Sequence, residues 1–168
     1  MSAADDAINE RLATEPKYYH GSSSPLPVGA VLKAKATKLY RGGPLGEVME
    51  EMRPSEAPPR FKTWYMTTDP CAILDAGGDP NNTYEVRPTG PVTPANYAWF
   101  RKFGDEILAG KNVPFRRAAR YAQNYWSNAP SEDPEYEWLA PEIEVVKKVK
   151  TCIPKTLGKR WIRLKAKR

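Results

Sequence analysis

The stretch EYEWLAPEIEVVKKV, Glu135–Val149, decides how the fold of this 168-residue chain is interpreted. Glu135 and Glu137 stand two residues apart, just ahead of an apolar pair. Side chains alternate between the two faces of a β-strand, so a strand here directs both carboxylates to the same side. Pro141 then separates this strand from a second β-rich run that begins at Ile143.

Two like charges on one strand face cost free energy unless a cation lies beside them or one carboxylate binds a proton. Such a pair is suited to stabilising a positively charged transition state, which gives the stretch a catalytic interpretation. The structural alternative is two solvated glutamates on an edge strand. The spacing alone does not separate these two interpretations.

Length and composition predict one domain whose two flanking segments differ from it in composition. The domain is expected over residues 17–151, after a polar lead-in at 1–16 and before a basic tail at 152–168. Hydrophobic residues make up 40% of the chain, enough for a core. The polar start does not resemble a secretory signal, and no apolar run approaches the ~18 residues of a membrane span. We therefore expect a cytoplasmic protein that does not associate with membranes.

The net charge of +6 belongs mainly to the end of the chain. Lys155–Arg168 carries seven Lys or Arg and no acidic residue, so the remainder has a net charge of about −1. This tail, with Trp161 in it, is typical either of a segment that binds nucleic-acid phosphates or an acidic partner, or of a solubilising end. A second basic cluster, Arg116, Arg117 and Arg120, is most simply a solvated helix face.

The cysteines and the lone histidine argue against a metal site. Cys71 and Cys152 are far apart, and one histidine does not complete a zinc site of the usual spacing. We expect both cysteines to be small buried hydrophobic residues in a reducing compartment, and no bound metal.

The pattern along the chain predicts an α+β fold with a β-sheet core and the largest helical block in mid-chain. Seventeen prolines, about double the usual share, favour short strands joined by stiff connections. Asp69 with Pro70 is a helix-start signal. Besides the two strands of the opening stretch, we expect strands at Lys17–Gly21, Val28–Lys35, Phe61–Thr67 and Thr83–Val86, and helices at Leu45–Met52, Cys71–Ala76, Asn96–Ala109 and Pro114–Asn128.

Two further side chains carry a chemical interpretation. His20 ends a predicted strand and precedes Gly21, where the absence of a side chain permits close approach of a ligand to the backbone. Tyr65 lies on another predicted strand and can stack on a flat heterocycle. Taken singly, His20 is more often a packed or exposed residue, and Tyr65 a core residue.

Taken in order, these residues resemble the NAD-dependent ADP-ribosyltransferases. Tyr19–Ser22, YHGS, is similar to the first motif of the diphtheria toxin, poly-ADP-ribose polymerase and rifamycin-modifying members, and Leu26–Leu32 to the segment that follows it. Trp64–Thr68 and Thr83–Pro91 resemble the next two segments. Glu135–Val149 resembles the ExE ending of the arginine-directed members. The resemblance covers about Lys17 to Thr151 and implies an ADP-ribosyltransferase-like split β-sheet core.

The resemblance also implies roles. His20 would bind a ribose of NAD, the Gly21 backbone its nicotinamide amide, and Tyr65 its nicotinamide ring. Glu137 would be the catalytic carboxylate, and Glu135 would orient or deprotonate the acceptor. The residues assigned to NAD binding are His20, Gly21, Ser22 and Tyr65.

The expected activity is mono-ADP-ribosyl transfer from NAD, without a metal, to a protein arginine as the first choice of acceptor. Nucleic acid, held through Lys155–Arg168, and a small molecule are the other acceptors. The alternative function is a non-enzymatic module of the same fold that binds or assembles through the tail. A missing aromatic residue near Ala76, where many family members carry one, favours this alternative.

Overall fold

A computed structural model describes residues 15–36, 44–73 and 78–151, and these form an α+β fold with two antiparallel sheets. The first sheet has the strand order β1-β4-β7-β2, and the second has the order β3-β6-β5. The strands are β1 (Tyr18–Gly21), β2 (Val31–Lys33), β3 (Trp64–Met66), β4 (Thr83–Pro88), β5 (Thr93–Asn96), β6 (Tyr136–Ala140) and β7 (Glu142–Lys148). The α-helices are α1 (Pro44–Glu51), α2 (Tyr97–Leu108) and α3 (Phe115–Trp126).

The second sheet is the middle of three layers. Its strands alternate faces, so that Met66 and Ala140 pack against β4 and β7 of the first sheet. Leu139 points the other way, into a core shared with Phe103 of α2 and Trp126 of α3. Glu135 and Glu137 have the same parity as Leu139 and so belong to the helix-facing side.

The expected strand is present from Tyr136, one residue after Glu135, and it is the central strand of its sheet. β6 pairs with β3 on one side, where Tyr65 lies opposite Leu139, and with β5 on the other, where Ala95 lies opposite Glu137. The alternative of a solvated glutamate on an edge strand does not hold for Glu137, because β6 is the central strand and the Glu137 side chain is only 15% exposed. Glu135 precedes β6, and its side chain is 37% exposed.

β5 is the strand that the sequence pattern missed. It contains Pro94, and proline is not expected inside a strand because it has no N–H to donate. The strand exists because it lies at the edge of its sheet, where one side needs no partner. It ends at Asn96, whose fully buried side chain accepts hydrogen bonds from the N–H groups of Ala98 and Glu135 and so fixes the starts of α2 and β6.

Two other expectations are corrected in detail. The strand expected at Val28–Lys35 shrinks to β2, because Gly29 takes a left-handed φ of 88° in a turn before it. At Cys71–Ala76, the described part is a 3₁₀ turn over Pro70–Ala72, with the Asp69 side chain capping the Cys71 N–H as expected. Residues 74–77, and with them the Ala76 position, lie outside the described residues.

The expectation for Cys71 is wrong. Its side chain is exposed rather than buried, and its sulfur is in a disulfide bond. Disulfides persist mainly in oxidising compartments, so this bond does not support a cytoplasmic location. Cys152 lies outside the described residues.

Within the described ranges, no helix combines the length and apolar character needed to cross a bilayer.

Candidate active site

A cavity of about 540 Å³ is lined by residues of β1, β3, β6 and α2. β1 and β3 are joined by a single bridge, in which the N–H groups of Tyr19 and Thr67 each donate to the other residue's carbonyl oxygen, at 2.8 and 2.9 Å. The cavity lies within the ~300–1,000 Å³ typical of small-molecule sites.

The cavity collects five of the six residues that the sequence singled out. His20, Gly21, Tyr65, Glu135 and Glu137 all line it, although more than a hundred residues separate the first from the last. Ser22 does not line it, because this buried residue turns its Oγ toward the N–H of Ser24, at 3.3 Å.

His20 is held as a neutral imidazole with a defined tautomer. Its Nδ1 lies 2.7 Å from the carbonyl oxygen of Tyr65, so Nδ1 must carry the proton that is donated. Burial lowers the pKa of His20 below 6.5, although the bond to Tyr65 opposes that shift. The ring also packs edge-to-face against Trp64, with centroids 5.0 Å apart. Nε2 is therefore an acceptor, suited to a hydroxyl group of a ligand.

Gly21 turns its peptide groups toward the gap between β1 and β3. The N–H of Ser22 donates to Asn82 at 2.8 Å, and in an antiparallel ladder such bonds to one neighbour recur at alternate residues. The N–H and C=O of Gly21 thus point away from β4, toward the side on which Tyr19 meets Thr67.

The bridge between β1 and β3 does not extend as far as Gly21. If the ladder continued, Gly21 would pair with Tyr65. The Tyr65 carbonyl oxygen instead accepts a hydrogen bond from the His20 imidazole. Gly21 therefore presents one peptide donor and one peptide acceptor to the cavity, which together complement a primary carboxamide.

The need for glycine at this position has a second cause that the sequence did not reveal. A Cβ atom built on Gly21 would lie 2.5 Å from Cγ2 of Ile73 and 3.0 Å from Cα of Gly78. The first distance is shorter than real Cβ contacts and the second is a tight contact, so the absence of a Cβ lets β1 pack against the Gly78 backbone and leaves the Gly21 peptide groups accessible.

Glu137 is fixed by a buried arginine and a tyrosine. Nη1 of Arg60 lies 2.8 Å from Glu137 Oε1, and the Tyr125 hydroxyl donates to the same oxygen while accepting from Arg60 Nη1. Among the described residues, no hydrogen bond engages Oε2, and Glu137 lines the cavity. One carboxylate oxygen is thus anchored and the other is left for a ligand.

Arg60 lies within an aromatic box. Its Cζ is 4.3 Å from the ring centroid of Phe100, 4.7 Å from that of Tyr125 and 5.0 Å from that of Tyr65. Burial disfavours its charge, but Tyr125 and Glu137 outweigh burial, so the pKa of Arg60 lies above its ordinary value. Burial, with Glu137 nearby, raises the pKa of Tyr125 well above 10, which keeps its hydroxyl protonated.

The same box holds Tyr65 in place. Its hydroxyl donates to the carbonyl oxygen of Arg60, and the Arg60 guanidinium lies against its ring. Tyr65 is therefore a rigid aromatic wall of the cavity rather than only a core residue.

Glu135 has its own cation. Its Oε2 lies 2.7 Å from Nη2 of Arg101 on α2, which also lines the cavity. The like-charge argument from the sequence called for either a nearby cation or a protonated carboxylate, and the structure places a cation beside each glutamate, Arg60 and Arg101. The sequence did not identify them, because nothing in the local pattern distinguishes them among 26 Lys and Arg residues.

Within the described ranges, no cluster of three or more His, Cys, Asp or Glu residues has the geometry to hold a metal ion. No protein-family model matches this chain, and searches of curated proteins and of solved structures give no match either. Its function is therefore inferred from the sequence motifs and from the geometry of this cavity.

Proposed function

We propose that this protein is an ADP-ribosyltransferase that uses NAD as its donor substrate, and that its two split antiparallel sheets are an ADP-ribosyltransferase-like fold. The observation that carries the proposal is the convergence of His20, Gly21, Tyr65 and Glu137 on one cavity. His20 supplies a nitrogen that can accept from a hydroxyl group, and Gly21 supplies a peptide N–H and C=O that can bind a carboxamide. Tyr65 supplies a flat aromatic wall, and Glu137 supplies a carboxylate.

These groups fit the nicotinamide half of NAD. The peptide N–H and C=O of Gly21 match the carboxamide, and the ring of Tyr65 matches the flat heterocycle. Nε2 of His20 accepts from a ribose hydroxyl. Three contacts to rigid elements orient the glycosidic bond, and orientation lowers the barrier to its cleavage.

Glu137 would act on charge that develops during cleavage. Breaking the bond between nicotinamide and ribose places positive charge on the sugar, as in glycoside hydrolysis. A preorganised carboxylate near that sugar stabilises the charge as it forms. The role of Arg60 and Tyr125 is to hold Oε1 so that Oε2 has a fixed position. A protein arginine is the acceptor we favour, because Glu135 beside the site can bind a guanidinium.

The first test measures nicotinamide release from NAD by the full-length chain and by Glu137→Gln. We expect a loss of ~10²–10³ in rate, the usual effect of removing one preorganised electrostatic group. The matched control is Glu144→Gln, a partly exposed glutamate of β7 that pairs with Arg87 and does not line the cavity. It should retain the rate of the unmodified chain.

Glu137→Gln also removes the counter-charge of buried Arg60, so a second variant separates catalysis from folding. Glu137→Asp keeps that charge and withdraws the carboxylate by one methylene; it should stay folded and still lose rate. NAD binding gives an independent readout, because NAD at ~100 times its Kd adds about 2.7 kcal/mol of stability. Absence of both turnover and stabilisation would leave the non-enzymatic binding module as the interpretation.

A further inference from the structure

Glu135 already holds a guanidinium group at the cavity. Arg101 Nη2 lies 2.7 Å from its Oε2, and the two side chains are 45% and 37% exposed. The Arg101 Cζ also lies 5.6 Å from the ring centroid of Tyr97. All three residues line the cavity with Glu137. If Glu135 binds the guanidinium of an acceptor, as the proposed function has it, an accessible and oriented arginine of the chain itself already lies in that place.

We propose that Arg101 is itself an acceptor, so that the protein ADP-ribosylates its own α2 helix within one molecule. This inference rests on the proposed function and names the first substrate of that site. Arg60, the other arginine on the cavity, is excluded because it is 4% exposed and enclosed by aromatic rings. Arg87 and Arg117 are also paired with glutamates, but they do not line the cavity.

The step balances with the groups present. The bond between the ribose C1′ and the nicotinamide nitrogen breaks, and nicotinamide leaves with the electron pair. A guanidino nitrogen of Arg101 forms the new bond to C1′. A guanidinium is a poor nucleophile because it stays protonated, so it must lose a proton. The Glu135 carboxylate, within hydrogen-bond distance, accepts that proton and passes it to water.

An internal acceptor has two consequences. The reaction is intramolecular, so its rate per molecule does not depend on protein concentration, and its acceptor is held in place before NAD binds. The modification also leaves a bulky ADP-ribose group beside Glu135, where an external guanidinium would bind. Modified protein should therefore act more slowly than unmodified protein on added arginine-rich acceptors.

The test incubates the full-length chain with NAD and maps ADP-ribose by peptide mass spectrometry, while nicotinamide release is measured in the same samples. We expect the modification on Arg101. In Arg101→Lys, which retains the positive charge but lacks the guanidino group, the ADP-ribose incorporated per nicotinamide released should fall to background. The matched control is Arg87→Lys, whose guanidinium is also exposed and paired with a glutamate, and which should incorporate normally.

A mixing experiment tests the intramolecular route. Tagged Glu137→Gln protein, incubated with the unmodified chain and NAD, should stay unlabelled. Label on its Arg101 would overturn the intramolecular assignment. Nicotinamide release from the unmodified chain without ADP-ribose on Arg101 would overturn the acceptor and leave the proposed function intact. Absence of nicotinamide release would overturn both.

Discussion

Among single residues, Arg60 carries the largest expected energetic effect. It is a buried cation whose removal leaves Glu137 without its counter-charge at 15% exposure. We expect Arg60→Met to lower the free energy of unfolding by about 3–5 kcal/mol, as measured by urea denaturation. Tyr125→Phe should cost only about 1 kcal/mol, because the direct bond between Arg60 and Glu137 survives. Equal losses in the two variants would show that the ion pair does not anchor Glu137.

His20 should make both stability and NAD binding depend on pH. Its folded-state pKa is lowered below 6.5, so on acidification the unfolded chain binds the proton first. The His20 contribution to stability is therefore complete above about pH 6.5 and is lost as pH falls through the folded pKa. Protonation also converts Nε2 from an acceptor to a donor, so NAD affinity should weaken over the same window.

The chain has one histidine, so a titration with the pKa of a histidine can be assigned to His20. Calorimetric Kd values for NAD, measured between pH 7.5 and pH 5 on the unmodified chain and on His20→Gln, give the comparison. The amide of glutamine does not titrate, so the variant should show a flat profile over this range. An unchanged slope in His20→Gln would assign the titration to another group.

At the scale of elements, β1 depends on its close contact with the Gly78 backbone. Gly21→Ala places a methyl group 2.5 Å from Cγ2 of Ile73 and 3.0 Å from Gly78 Cα, so either β1 or the Ile73 side chain must shift. We expect a loss of about 1–3 kcal/mol in unfolding free energy, the usual cost of overpacking, together with weaker NAD binding. Gly90→Ala is the control, because a Cβ there meets nothing within 4 Å. A Gly21→Ala protein as stable as Gly90→Ala would mean that β1 tolerates displacement.

At the scale of the whole molecule, we expect the basic tail and the cavity to have separate functions, nucleic-acid binding by the tail and nicotinamide release at the cavity. A chain that ends at Pro154 loses the seven positive charges of Lys155–Arg168. We expect this truncation to weaken nucleic-acid binding and to reduce the slope of log affinity against log salt concentration, because the tail's phosphate contacts are lost, while nicotinamide release continues. Fluorescence anisotropy over a salt series measures the first and an NAD assay the second. Undiminished nucleic-acid binding would instead implicate Arg116, Arg117 and Arg120, which lie exposed on α3.

Much of the fold follows from local sequence chemistry. Helical spacing of apolar residues gave α2 and α3 to within one or two residues, and the side-chain alternation at Glu135 and Glu137 was enough to place both carboxylates on one face. The order of His20, Tyr65 and the two glutamates indicated which residues meet. The helices and the shared face were predictable because strand and helix periodicity act over a few residues. The meeting of His20 and Tyr65 with the glutamates was expected only from the resemblance to a known family.

The partners of those residues were decided only by tertiary structure. Glu137 meets Arg60 across 77 positions of sequence and Tyr125 across 12, and Glu135 meets Arg101 across 34. No local pattern encodes such pairings. The edge strand β5, with Pro94 inside it, likewise exists only because β6 offers it an edge. By itself the sequence determined that two like charges share a face and need either a nearby cation or a proton. The packing of α2, α3 and the Arg60 turn against one sheet determined which cations they are, because burial makes an unpaired charge too costly to keep.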